Sequence, residues 1–167
     1  MSSERRPAGV GNLIRGAVAG GIATWVMDLT TTGMLQGQSP EVNHREEQAR
    51  PNGKGAVTNL VDRLQAAFDV QLDDAARSAV ETGIHFGLGI VPGAIYALLR
   101  DRVPLLGAGR GMLYGVLLWA VNDEILNTRL GLAGEFGAYP AETHGRGLVG
   151  HLVLGVGTDA AVTALGG

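Results

Sequence analysis

Glu81 and His85 stand four residues apart in the stretch Ala79 to Arg100, AVETGIHFGLGIVPGAIYALLR, which is otherwise apolar and long enough to cross a bilayer. On a helix that spacing places a carboxyl and an imidazole on one face. Ionisable groups in such a span are costly, and they normally face the inside of a bundle, where they mark a pathway or a site. Four more groups of the same chemistry lie in the other apolar stretches: Asp28, the adjacent Asp123 and Glu124, and His151. Two imidazoles and four carboxylates form a donor set suited to a divalent first-row metal or to a proton relay. The same groups could instead pair with one another and hold helices together. All three readings stay open on the sequence alone.

Neighbouring signals are weaker. Glu41 and His44 have the Glu-x-x-His spacing of di-iron bundles, but they stand alone in a polar segment, whereas Glu81 and His85 are one residue too far apart for that motif. No H-E-x-x-H or G-x-S-x-G occurs, and the absence of cysteine excludes disulfides, thiolate metal sites and cysteine nucleophiles. Gly107 to Gly111 has the glycine content of a phosphate loop without the preceding strand or the following Lys-Ser/Thr, so close helix packing is the better reading. The net charge of −3, with no RNP, zinc-finger or basic-helix pattern, argues against a nucleic-acid partner.

Helices must position these groups, and the hydropathy pattern supplies them. The 167 residues are 46% hydrophobic and 17% charged, and the mean hydropathy of +0.16 averages a polar stretch against apolar ones. Four apolar stretches predict spans at about 12–35, 79–100, 105–127 and 147–167, joined by a polar connection over 36–78. The 27 glycines, which follow no collagen period, suit membrane helices that approach closely. In the first span Ala17, Gly21, Thr24, Asp28 and Thr31 form a small, polar face expected to pack inward. In the second the stripe continues through Gly89, Pro92, Gly93 and Tyr96, with a kink expected at Pro92. In the third, Gly111, Gly115, Leu118 and Asn122 share a face. The connection predicts a short helix starting at Ser39-Pro40, a turn at Pro51-Asn52-Gly53, and an amphipathic helix through Val57, Leu60, Val61, Leu64 and Phe68, with Asp73 capping the next helix. Met1 to Gly11 is expected to be a poorly ordered tail.

A helical ruler unites the chemistry. At 1.5 Å per residue, Asp28 lies roughly 24 Å from Asn12, His85 roughly 22 Å from Arg100, Asp123 roughly 24 Å from Gly107 and His151 roughly 24 Å from Gly167. With alternating directions these distances share one face, so the four groups occupy one level, with Glu81 one turn beyond and His144 two turns from His151. The expected fold is therefore an all-α polytopic membrane four-helix bundle, with one or two short helices between spans one and two. Arg5, Arg6, Arg15, Arg100, Arg102 and Arg110 fall on one side, against Arg129 and Arg146 on the other, which points to cytoplasmic termini.

The glycine-rich first span ending in an acid, the embedded His85, GMLYGVLLWAVNDEILNTRLGLAG and RGLVGHLVLG together resemble the bacterial YagU-like inner-membrane proteins of unknown function. The resemblance is carried by His85, Gly131-Leu132 and Gly150-His151-Leu152. It implies a multi-pass inner-membrane location and leaves activity open. The expectation is a small protein that moves or senses a proton or divalent metal ion through the polar layer. A membrane-embedded metal-dependent enzyme and a structural or assembly subunit are the alternatives, and the expected partners are the lipid bilayer and further copies or a membrane complex.

Overall fold

A computed structural model of the chain describes residues 8–166, and every regular element among them is helical. α1 (Ala8–Gln36) is 29 residues long, so Ala8 to Gly11 belong to a helix and not to the expected tail; Arg5, Arg6 and Gly167 lie outside the described residues. The polar connection folds into α2 (Pro40–Ala49) and α3 (Ala56–Phe68) on either side of a turn at Pro51–Gly53. Ser39 starts α2 by accepting from the backbone N–H of Val42 at 3.3 Å, and Pro40 takes the first helical position, where a missing N–H costs nothing. α4 (Asp74–Leu99) is capped by Asp73, whose Oδ1 accepts from Ala76 at 2.8 Å. It runs through Pro92 as one helix.

The expected third span is the main departure. Residues 105–111 are not part of a long helix. Pro104–Gly107 is a single 3-10 turn, and Gly109, Arg110 and Gly111 all have positive φ, which stops a helix from forming until Met112. α5 (Met112–Leu118) then widens into an eight-residue π-helix, Trp119–Leu126, before a last turn, α6 (Asn127–Arg129). After a loop, α7 runs over Ala141–Ala164, beginning six residues before the expected fourth span. Among the described helices, α4 and α7 are the two long and apolar enough to cross a membrane, where the hydropathy pattern predicted four.

Glycine sets the packing. α1 lies antiparallel along α4 and along α7, and α7 also lies antiparallel along α5. A side chain on Gly93 would come within 2.6 Å of the Gly16 carbonyl and 2.9 Å of the Gly20 Cα, so the two backbones are in contact. On the other side of α1, a Cβ on Gly150 would meet Thr31 at 2.6 Å and one on Gly157 would meet Ala23 at 3.2 Å. Gly155 and Gly115 form the same kind of contact between α7 and α5, at 3.0 Å. The buried face of α1 is therefore Gly16, Ala19, Gly20, Ala23 and Thr24, turned from the expected line of Ala17, Gly21, Thr24, Asp28 and Thr31. The smallest side chains won that face because only they allow two helices to approach α1 at once. α4 and α5, by contrast, face each other across a gap and meet at one end through Tyr96 and Tyr114, whose rings are 4.6 Å apart.

Candidate functional site

The gap between α4 and α5 is a half-open cavity of about 780 Å³. α4 contributes His85, Leu88 and Pro92 to one wall, and α5 with the π-helix contributes Leu118, Trp119, Asn122, Asp123 and Glu124 to the other. α1 and α7 form its floor with Met27 and Leu154, and α7 adds His144, Gly147 and His151. The connection and the 130–139 loop cover one end. The π-helix matters here because its wider turn, closed by the Asn127 N–H bonding back five residues to Asn122, lets the consecutive acids Asp123 and Glu124 both reach the cavity.

Four of the six expected site residues line this cavity: His85, Asp123, Glu124 and His151. Asp28 and Glu81 border a shallow depression on the far side of His85. The histidines and acids form pairs. His85 Nε2 lies 2.8 and 3.0 Å from the two carboxylate oxygens of Asp28. His151 Nδ1 lies 3.5 Å from Asp123 Oδ2, while donating to the Gly147 carbonyl at 3.0 Å. His144 Nδ1 lies 2.7 Å from Glu124 Oε1. Glu81 does not pair with His85; one turn back, Arg77 donates to it at 3.1 Å. No group of three or more histidine or acidic side chains placed to hold a metal ion occurs among the described residues. Glu41 and His44 stay apart from the site, and His44 bonds to Gln48 at the surface.

His144 carries the most informative geometry. Its second nitrogen, Nε2, faces the Phe136 carbonyl at 3.0 Å, so both ring nitrogens face acceptors. The Phe136 carbonyl can only accept, so Nε2 carries a ring hydrogen and Nδ1 is the nitrogen that meets the Glu124 carboxyl group. The ring is stacked on Phe136 at 4.1 Å and meets Tyr139 edge-on at 6.1 Å, contacts that fix its plane.

No sequence pattern foretold the polar network that closes the covered end. Glu46 is 3% exposed and binds Arg146 at 2.7 and 2.8 Å, Arg50 at 2.5 Å and Thr143 at 2.9 Å, and Arg146 also bonds Gln38 at 2.6 Å. Burial by itself would raise the Glu46 carboxyl, but the hydrogen bonds from Arg146, Thr143 and Arg50 and the Arg146 charge bring it down to about 2. Asn59, also buried, donates to the carbonyls of Pro51, Lys54 and Leu132, and Arg63 holds those of Leu130 and Gly131. Only a buried face on α3 could have flagged Asn59, and the apolar stripe pointed elsewhere: Leu64 and Phe68 are exposed.

Comparison with family models, with curated proteins and with solved structures finds no match to this chain.

Proposed function

We propose that this chain is a small membrane-embedded protein whose cleft holds and passes protons between histidine–carboxylate pairs. One observation carries the reading: three histidines line a single cavity, two of them hydrogen-bonded to an acid and the third, His151, 3.5 Å from Asp123. In such a pair, imidazolium with carboxylate and neutral imidazole with carboxylic acid carry the same net charge, so a proton can change place inside the pair without exposing new charge to an apolar surrounding. Arrival of one further proton makes the pair cationic and favours its release to the next. The divalent-ion form of the same idea needs three converging donors, and the donors here are grouped in twos.

A bilayer location is supported by what the helices leave uncovered. Ile14, Val18, Ile22, Trp25 and Leu29 run down the outer face of α1, Val91 and Ile95 down α4, and Leu117, Val121 and Ile125 down α5 and the π-helix, all more than a third exposed. Apolar surface of that extent on several neighbouring helices is unfavourable in water and suits lipid. In this reading the chain crosses four times as a four-helix bundle in the bacterial inner membrane, as the YagU-like resemblance implies, with Arg15, Arg100, Arg102 and Arg110 on the cytoplasmic side beside the termini.

Purified protein in liposomes loaded with a pH-sensitive dye, driven by a potassium diffusion potential, is expected to pass protons. His85→Ala and Asp123→Asn should each cut the flux by about tenfold or more, as removal of an acid–base partner does. Equal flux in wild type and both variants, or none above protein-free vesicles, would overturn the reading.

A further inference from the structure

We propose that the cleft binds an apolar molecule with a hydroxyl head, seated over Gly147 between Trp119 and Asp123. This deepens the reading of the cleft as the working site by naming its occupant, and it requires no proton flux.

Three observations converge on one spot. Trp119 Nε1 is buried and has no hydrogen-bond partner within the chain. Such a donor is normally satisfied, so its neighbourhood calls for an acceptor. Asp123 Oδ1 accepts from Asn122 at 2.8 Å, but Oδ2 has only His151 Nδ1 near it, at 3.5 Å, and that ring hydrogen is committed to the Gly147 carbonyl. Gly147 has no side chain, and a Cβ there would sit 3.2 Å from Trp119 Nε1 and 3.7 Å from Asp123 Oδ2. The unpartnered donor and the second carboxylate oxygen of Asp123 thus flank the same point beside Gly147, which a side chain there would crowd.

The chemistry of that space selects a head group. It must accept from an indole N–H and donate to a carboxylate, and a hydroxyl does both. An ammonium has no lone pair for the indole, a ketone has no hydrogen for the carboxylate, and an anionic head would face both Asp123 and Glu124. The rest of the molecule is set by the walls: Met27, Leu88, Pro92, Leu118 and Leu154 are apolar, and a cavity of about 780 Å³ is in the range that buries a small organic ligand. A lipid-soluble alcohol or phenol satisfies both requirements.

The test uses heavy-atom quenching. In the Trp25→Phe protein, Trp119 is the remaining tryptophan, and the removed side chain is 57% exposed on the outer face of α1. In lipid nanodiscs, 4-bromophenol should quench Trp119 saturably, while its methyl ether 4-bromoanisole, equally apolar but without the donor, should need about tenfold more for half-saturation. Gly147→Ala, which fills the space, and Asp123→Asn, which removes the anionic acceptor, should each weaken phenol binding by about the same factor. Thermal unfolding followed by circular dichroism checks that each variant folds, and if Gly147→Ala does not, Asp123→Asn decides. Equal quenching by phenol and ether, or undiminished phenol binding in the folded variants, overturns the proposal. Binding without proton flux leaves this inference standing and removes the proton reading, and flux without discrimination between phenol and ether does the reverse.

Discussion

The α1–α4 contact and the α4–α5 gap use the two sides of one helix in opposite ways. Against α1, α4 presents Gly89 and Gly93, and the contact is backbone on backbone with Gly16 and Gly20. Against α5, the same helix presents His85, Leu88 and Pro92 and touches nothing until Tyr96 meets Tyr114. Along these glycines the seam is held by dispersion at close range, and beyond them His85 of α4 bonds Asp28 of α1 at 2.8 Å. The gap is held by ions and hydrogen bonds at its covered end and by two tyrosines at the other. Glycine therefore makes the scaffold, and Asp123, Glu124, His144 and His151 lie where α4 and α5 are kept apart.

The largest effect is expected at the covered end of the gap. Glu46→Gln would leave Arg146 and Arg50 without their shared carboxylate in a site 3% exposed, and breaking a buried pair in this way costs about 3–5 kcal/mol. Chemical unfolding at neutral pH measures it. The same carboxyl sets an acid limb. Its folded value, near 2, lies below the unfolded one of 4.5, so its stabilisation is complete above about pH 5 and disappears as pH falls through 2. A shift of that size corresponds to about 3 kcal/mol, and unfolding curves between pH 5 and 2 should show this loss in wild type and a flatter slope in Glu46→Gln. Parallel slopes would mean that the cleft is not closed by this charge.

The seam comes next. Gly20→Val would drive a side chain against the Gly89 carbonyl and to about 3.3 Å from the Gly93 Cα, where backbone cannot yield locally. Overpacking of this kind costs about 1–3 kcal/mol. Gly83→Ala on the open side of α4, where a Cβ meets nothing within 4 Å, should be neutral or slightly stabilising. A similar cost at both positions in thermal unfolding would erase the distinction between seam and gap.

The two tyrosines that close the far end give the smallest and most discriminating pair. Tyr96 donates to Asp159 at 2.6 Å, and that carboxylate also meets Arg100 at 3.3 Å. Tyr96→Phe removes a charge-assisted bond and should cost about 1.5 kcal/mol. Tyr114 is 6% exposed and its hydroxyl has no partner in the chain, so Tyr114→Phe should cost nothing or stabilise by under about 1 kcal/mol. Melting temperatures of the two variants, moving in opposite directions, are the expected result. A matching loss in Tyr114→Phe would show that its hydroxyl is hydrogen-bonded after all.

Local patterns account for the parts that were legible in advance. The starts of α2 and α4 follow from Ser39-Pro40 and Asp73, because a cap is satisfied within three residues of itself. The inward stripe of Gly89, Gly93 and Tyr96 on α4 follows from side-chain size at helical spacing. α5 was harder: its late start depends on three consecutive positive φ values, including the non-glycine Arg110, and its π-helix has no local signature that hydropathy can read. Glu81 and His85 have the right spacing to pair and do not, because Arg77 and Asp28 offer them better partners from one turn back and from another helix.

By itself the sequence determined that the described residues form helices, where α2, α3 and α4 begin, and which few ionisable residues lie among apolar neighbours. Those properties depend on interactions within a few positions of each other. Tertiary structure decided which histidine meets which acid, that Glu46 and Arg146 join across 100 residues, and that α4 and α5 stand apart around a cavity. The reason is geometric. A helix repeats every 3.6 residues, so its sequence states what lies on each face, but the rotation of each helix about its axis is fixed only when neighbouring backbones touch, and here glycine contacts between positions far apart in the chain, such as Gly16 with Gly93 and Gly115 with Gly155, make that choice.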